Sequence, residues 1–454
     1  MQYQDILGNP ITANDRSVAA DVGDFVDGFL SYETKAANVL RAAETDPDCS
    51  LANTYAAMLW LFLESPEAPQ KAAPFLARAK TGAATKREQL NLAFAQAWAN
   101  DDPAEALAIG EALNTAYPRD LTILKVRQYL LFNQGDAPTM LRVAQDVFDA
   151  NRDVAQMHGM IAFALEQCHL LPDAEQAAHT ALAMKQKEPW AQHALAHVML
   201  TQGRVDEGAR FLEHAAPGWR DLNSFMFTHN WWHLALFAIS QGQADKALQI
   251  YDRAVWSMDK SYSQDQAGAL SLLVRLNLAG VPVGDRWADL AVHIEARGSD
   301  ATLPFLSLHY LYALARANSQ HTVDMFTAIE RRASFGTSVW SRVALPAARG
   351  LLAHAYADYP KAAENLAIAL PQMSMIGGSH AQRDLFEQIW LDALVRSGQW
   401  SAAQEALELR RRHDPDGAPL NTLLAEVYGK LGLKPQAAKA ASRAAATRAK
   451  HATP

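Results

Sequence analysis

Apolar residues recur at three- and four-residue spacing along almost the whole chain, and runs of alternating Val, Ile and Thr are missing. That pattern predicts helices nearly everywhere. The helices come in pairs with a shared layout. In "LTQGRVDEGARFLEHA" (200–215) and "ISQGQADKALQIYDRA" (239–254) a helix ends at glycine, Asp stands three residues later, and Ala or Gly, Leu and an aromatic residue mark the packing side. The same punctuation returns in "VRSGQWSAAQEAL" (395–407) and "GKLGLKPQAAKAA" (429–441). Weaker copies lie at 98–113 and 132–148.

Gly398 and Gly432 are 34 positions apart, Asp173 and Asp206 are 33 apart, and Asp206 and Asp245 are 39 apart. A period near 34 with a glycine turn is the signature of tetratricopeptide (TPR) repeats, in which small residues let paired helices approach and each pair packs on the next. The expectation is an all-α, TPR-like α-solenoid of antiparallel helix pairs curled around a concave groove. We expect one array over 1–454. It comprises an N-terminal helical cap (1–95), regular repeats (96–256), divergent helical pairs (257–345), then C-terminal repeats with a basic helix (346–454). The divergent stretch keeps helical patterns at 263–278, 284–296 and 303–317, but Gly and Pro in "AGVPVGDRW" (279–287) break the period. The tail from Lys434 carries Lys and Arg without an acid and reads as a solvated, fraying helix.

Composition narrows the function classes. Half of the 454 residues are hydrophobic and a fifth are charged, as in ordinary folded proteins. The balance of 41 basic against 49 acidic groups, a formal charge of −8, predicts no nucleic-acid partner. Two cysteines, Cys49 and Cys168, are too few for a disulfide framework and suit a reducing cytoplasm. The first residues lack a basic and apolar leader pattern, and the longest apolar run, 55–63, is too short to span a bilayer, so no membrane role is expected.

Candidate chemistry comes from histidines on helix faces. "THNWWHLALF" (228–237) sets His229, Trp232 and His233 on one apolar face, and "WAQHALAHVML" (190–200) repeats the i, i+4 pair with His193 and His197. His158 precedes them by 35 positions, and 36 separate His193 from His229. First helices of successive TPR pairs line the concave surface, so these five imidazoles are expected to converge there. Any single histidine on an apolar face is ordinarily a core residue bonded to a carbonyl. Five at a near-constant period point further, because each buried imidazole without a partner costs about 1–3 kcal/mol. The i, i+4 spacing is also that of helical zinc ligands, which makes His193, His197, His229 and His233 the candidates if a divalent metal is bound. "HALAH" lacks the glutamate of HExxH, and no metal or other cofactor is assigned. Asn230, Asp265, Arg286, His309, Arg383 and Asp384 complete the candidate ligand-binding set. Ser379 in "GGSHAQRD" is placed to cap the helix that follows.

"HGM" (158–160), "WAQHALAHV" (190–198), "THNWWHLALF" (228–237), "VGDRWADL" (283–290) and "GGSHAQRDLF" (377–386) resemble, in this order, the tetratricopeptide repeat protein 38 family. The resemblance covers roughly residues 100–400, and "HNWWHLAL" is its most specific part. It implies a TPR-like, cytosolic all-α protein and brings no reaction with it. The family pattern can carry Asn where this chain has His380. The combined expectation is a protein that binds a small organic molecule or a peptide terminus in a His- and Trp-lined pocket. Two alternatives stand beside it: an enzyme using the same cluster, by acid/base or metal-assisted chemistry, and an interaction scaffold without a small-molecule site. A homodimer is compatible with all three.

Overall fold

A single turn geometry, repeated along the chain, builds the architecture. The computed structural model describes residues 2–452. At Gly203 the chain turns left-handed (φ 71°), Arg204 N–H bonds back to the Met199 carbonyl at 2.8 Å, and Gly203 N–H bonds to Leu200 at 3.2 Å. This is the six-to-one and five-to-two bonding that closes a helix and satisfies its last carbonyls. Gly242, Gly398 and Gly432 repeat it with the same pair of bonds. Non-glycine residues occupy the same position elsewhere: Asp101, His169, Asn318 and Ala357 all have φ between 54° and 63°. Asp101, Gly135, His169 and Gly203 are spaced by 34, and Gly242, Gly280, Asn318 and Ala357 by 38 or 39.

The molecule is therefore an all-α solenoid of TPR-like helix pairs, and the repeat continues unbroken through the stretch where the sequence period fades. Helices Ser263–Leu278, Arg286–Glu295 and Pro304–Arg316 lie where the pattern placed them. A two-stranded antiparallel hairpin, Gln2–Gln4 with Pro10–Thr12, is the one regular departure among the described residues. Short strands of three residues leave no readable alternation. Among the described residues no helix is long and apolar enough to cross a membrane.

Two compact units divide the chain. The first runs to Ala194 and includes Gly218–Met226; the second comprises Leu195–Pro217 and everything from Phe227 onward. In the first, buried Arg87 holds the N-terminal hairpin to the helices, donating to Asp120 at 2.8 Å, the Pro10 carbonyl at 2.8 Å and Tyr55 Oη at 3.2 Å. In the second, early and late helices meet. Arg275 donates to the Ala381 carbonyl at 2.7 Å, and Ser240 donates to Asp414 at 2.8 Å. The C-terminal helix, Lys434–His451, buries Ala440 and Ala444, and its Lys450 and His451 both pair with Asp206. This corrects the expectation of a fraying tail. Arg443, Arg448, Lys450 and His451 have polar or acidic partners on other helices of the unit.

Candidate functional site

Helices Pro189–Thr201 and Ser224–Ser240 carry the two histidine pairs, each as the first helix of its pair. Their apolar run is nearly continuous, so they are buried on more than one face, and the imidazoles go inside with the aliphatic residues. His197, His229 and His233, all in the second unit, are brought together. The His197 and His233 rings are 4.5 Å apart, tilted by 59°, and the His229 and His233 rings are 4.9 Å apart at 84°. One ligating nitrogen from each of the three lies within 4.8 Å of those of the other two. His380 brings its ring to 5.3 Å from His197. Trp232 stacks on His229 at 5.2 Å, and the Arg275 guanidinium lies 5.3 Å from the Trp232 ring. Burial pushes the His229 imidazole down to about 3, so it stays neutral through the physiological range.

His193 stands one turn before His197 on the same helix. In the first unit it stacks on Trp190 at 4.4 Å and lies 5.1 Å from Phe163. His158 is held apart: its Nε2 is 2.9 Å from the Arg152 carbonyl, and its ring meets Phe148 edge-on at 5.2 Å. The glycine beside it has a packing role, since a Cβ on Gly159 would lie 2.5 Å from the Glu188 carboxylate.

Asn230 is fully buried, and its amide nitrogen and oxygen have no hydrogen-bond partner among the described residues. Asp265 accepts from Thr228 Oγ1 at 3.0 Å, which joins it to the histidine helix through the residue before His229. His309 lies 2.7 Å, through Nδ1, from the Phe305 carbonyl one turn back, and burial lowers its pKa to about 4. Arg286 is engaged by Asp252 at 2.6 Å and the Val283 carbonyl at 2.9 Å. Arg383 donates to the Gly378 carbonyl. Ser379 caps the last site helix, His380–Arg396, in a reciprocal box with Gln382.

Asp384 anchors a charged cluster. Arg410 binds both of its oxygens, Gln388 donates at 2.6 Å, and Arg275 is 3.6 Å away. Burial alone would raise its pKa, but the Arg410 and Arg275 guanidiniums hold the carboxyl well below the usual range. Arg275 is itself pushed down to about 10 by burial.

Two further polar clusters escaped the sequence reading. In the first unit, buried Lys125 donates to the Phe29 and Leu30 carbonyls and sits 3.2 Å from the centre of the Tyr32 ring. Burial drives its pKa well down, partly offset by the Glu188 charge. Glu188, also buried, caps the Ala191 N–H at 2.5 Å, and burial raises it to about 7. Its only outward sign was one lysine within "LTILKVRQYLLF" (121–132). In the second unit, His354 bridges Asp392 at 2.9 Å and Tyr312 Oη at 2.8 Å. These residues are too far apart in sequence to suggest a set.

No model of a known protein family matches the chain. Solved structures similar to it are helical-repeat proteins of low identity. The human IFIT1 dimer with m7Gppp-AAAA is 13% identical over 95% of each chain, with a TM-score of 0.46. The human IFIT1 dimer with PPP-AAAA is 12% identical over the same shares, with a TM-score of 0.44. Naa15/Naa10 bound to HypK-THB is 14% identical over 94% of this chain and 68% of that one, with a TM-score of 0.26. Two of these structures hold capped or triphosphate RNA. The expectation of no nucleic-acid partner, drawn from the charge balance, does not stand. A net charge averages over the whole surface and says nothing of one local pocket.

Proposed function

We propose that this protein is a ligand-binding TPR-like repeat protein of the tetratricopeptide repeat protein 38 family, working in the cytoplasm. Its site is the cluster of His197, His229 and His233, with Trp232 as a wall and Asn230 beside it. The observation that carries this reading is the convergence of three buried imidazoles whose nitrogens lie within 4.8 Å of one another. Apolar side chains would fill the same space without the cost of desolvating polar groups. The buried Asn230 amide adds to that cost, about 1–3 kcal/mol for each unsatisfied group. A fold that meets such costs beside one another has a use for the polar groups. Asp265, which accepts from Thr228 in the same unit, is the supporting member. Two free cysteines fit a reducing compartment.

The test is a thermal-shift screen of the full chain against small organic acids, amines, short peptides and short RNA ends, paired with native mass spectrometry of the protein as purified. The reading expects at least one compound to stabilise the wild type and to lose its effect in His197→Gln and His233→Gln. If neither method finds an occupant that these substitutions affect, the cluster is packing and the reading fails.

A further inference from the structure

Three features decide the kind of occupant. The donors are all imidazoles, with no carboxylate or thiolate among the three. They come from two helices, and the i, i+4 pair on one of them, His229 and His233, lets two rings reach one point. One ring nitrogen of each histidine lies within 4.8 Å of those of the other two, so the three can face one point.

Around a tetrahedral ion at about 2.0–2.1 Å, neighbouring nitrogens stand roughly 3.3–3.4 Å apart. The separations here, at most 4.8 Å, come within small side-chain rotations of that. Imidazole sets of this kind suit zinc, copper and nickel, whereas calcium and magnesium take oxygen ligands.

We propose that the cluster binds a divalent transition metal of the zinc class, with His197, His229 and His233 as protein ligands. This rests on the reading of the same cluster as the binding site. Three histidines leave a fourth position for an external donor.

The full chain, made without a histidine tag and dialysed against a chelator, is titrated with zinc while elemental analysis counts the bound metal. A single ion per chain is expected. His233→Gln should weaken binding by more than about 100-fold, since loss of even an outer-sphere partner costs roughly 10–100-fold. The surface substitution His214→Gln should leave stoichiometry and affinity unchanged. Cobalt in place of zinc should give the intense visible absorption of a tetrahedral nitrogen site, a readout from the wild type alone should His233→Gln fail to fold. Wild-type protein that takes up no zinc and gives no such cobalt spectrum overturns the metal assignment, as does His233→Gln binding as tightly as wild type. A screened compound that still depends on His233 would then leave the binding-site reading standing. With no compound and no metal, both fall.

Discussion

Single residues in this protein carry charge where the surrounding helices are apolar, and their protonation sets where stability depends on pH. Asp384 joins Arg410, Gln388 and Arg275 in one cluster. Asp384→Asn leaves two guanidiniums poorly paired and should cost about 2–4 kcal/mol. The folded pKa of Asp384 is depressed, so its contribution is present above the unfolded carboxylate value and fades as pH falls through the folded one. The substitution should therefore matter at pH 7 and progressively less in acid, as read by chemical denaturation. Glu188 has the opposite sign. Its folded pKa is raised from 4.5 to about 7, so the folded state holds a proton that the unfolded state releases. Stability from this group falls as pH rises between those values. Glu188→Gln, which keeps an acceptor for Ala191 N–H, should raise the melting temperature at pH 8 relative to wild type and make little difference near pH 4. An equal effect at both would remove the buried acid from the account. The placing of the candidate histidines on helix faces one repeat apart was legible from their 35- and 36-residue spacing, because helix face and repeat length are local properties. Which of them meet was not, since His158 bonds to the Arg152 carbonyl only six residues away.

At the scale of the element, the left-handed turn explains what the sequence pattern showed and where it failed. The repeat was clear wherever glycine fills that position, as at Gly203 and Gly242. It faded after residue 257 because Asn318 and Ala357 take the same conformation without announcing it. Gly203→Val meets two obstacles. A Cβ there would lie 2.7 Å from the His413 carbonyl, and the left-handed conformation is strained for a β-branched residue. We expect a loss of more than about 1 kcal/mol, read from the denaturation midpoint. Ala357→Gly relieves the same strain from the other direction and should stabilise the protein by about 0.5–1 kcal/mol. Unchanged midpoints in both would dissociate the turn from repeat stability.

For the whole molecule, the helical class and the repeat were legible because both are written in periodicity, whereas long-range pairings are not. Asp206 with Lys450 and His451, and Ser240 with Asp414, join segments about two hundred residues apart in one unit. No local pattern announces such contacts, and the basic tail read as solvated for that reason. Nor did the charge balance speak for any particular partner. The central claim concerns the place where His197, His229 and His233 meet, and a high-resolution crystal structure of the full chain, grown without chelator, tests it most directly. The account predicts electron density between the three imidazoles, within bonding or hydrogen-bonding distance of at least two of them. Three rings closed against one another and their neighbours, with no density between them, would contradict it.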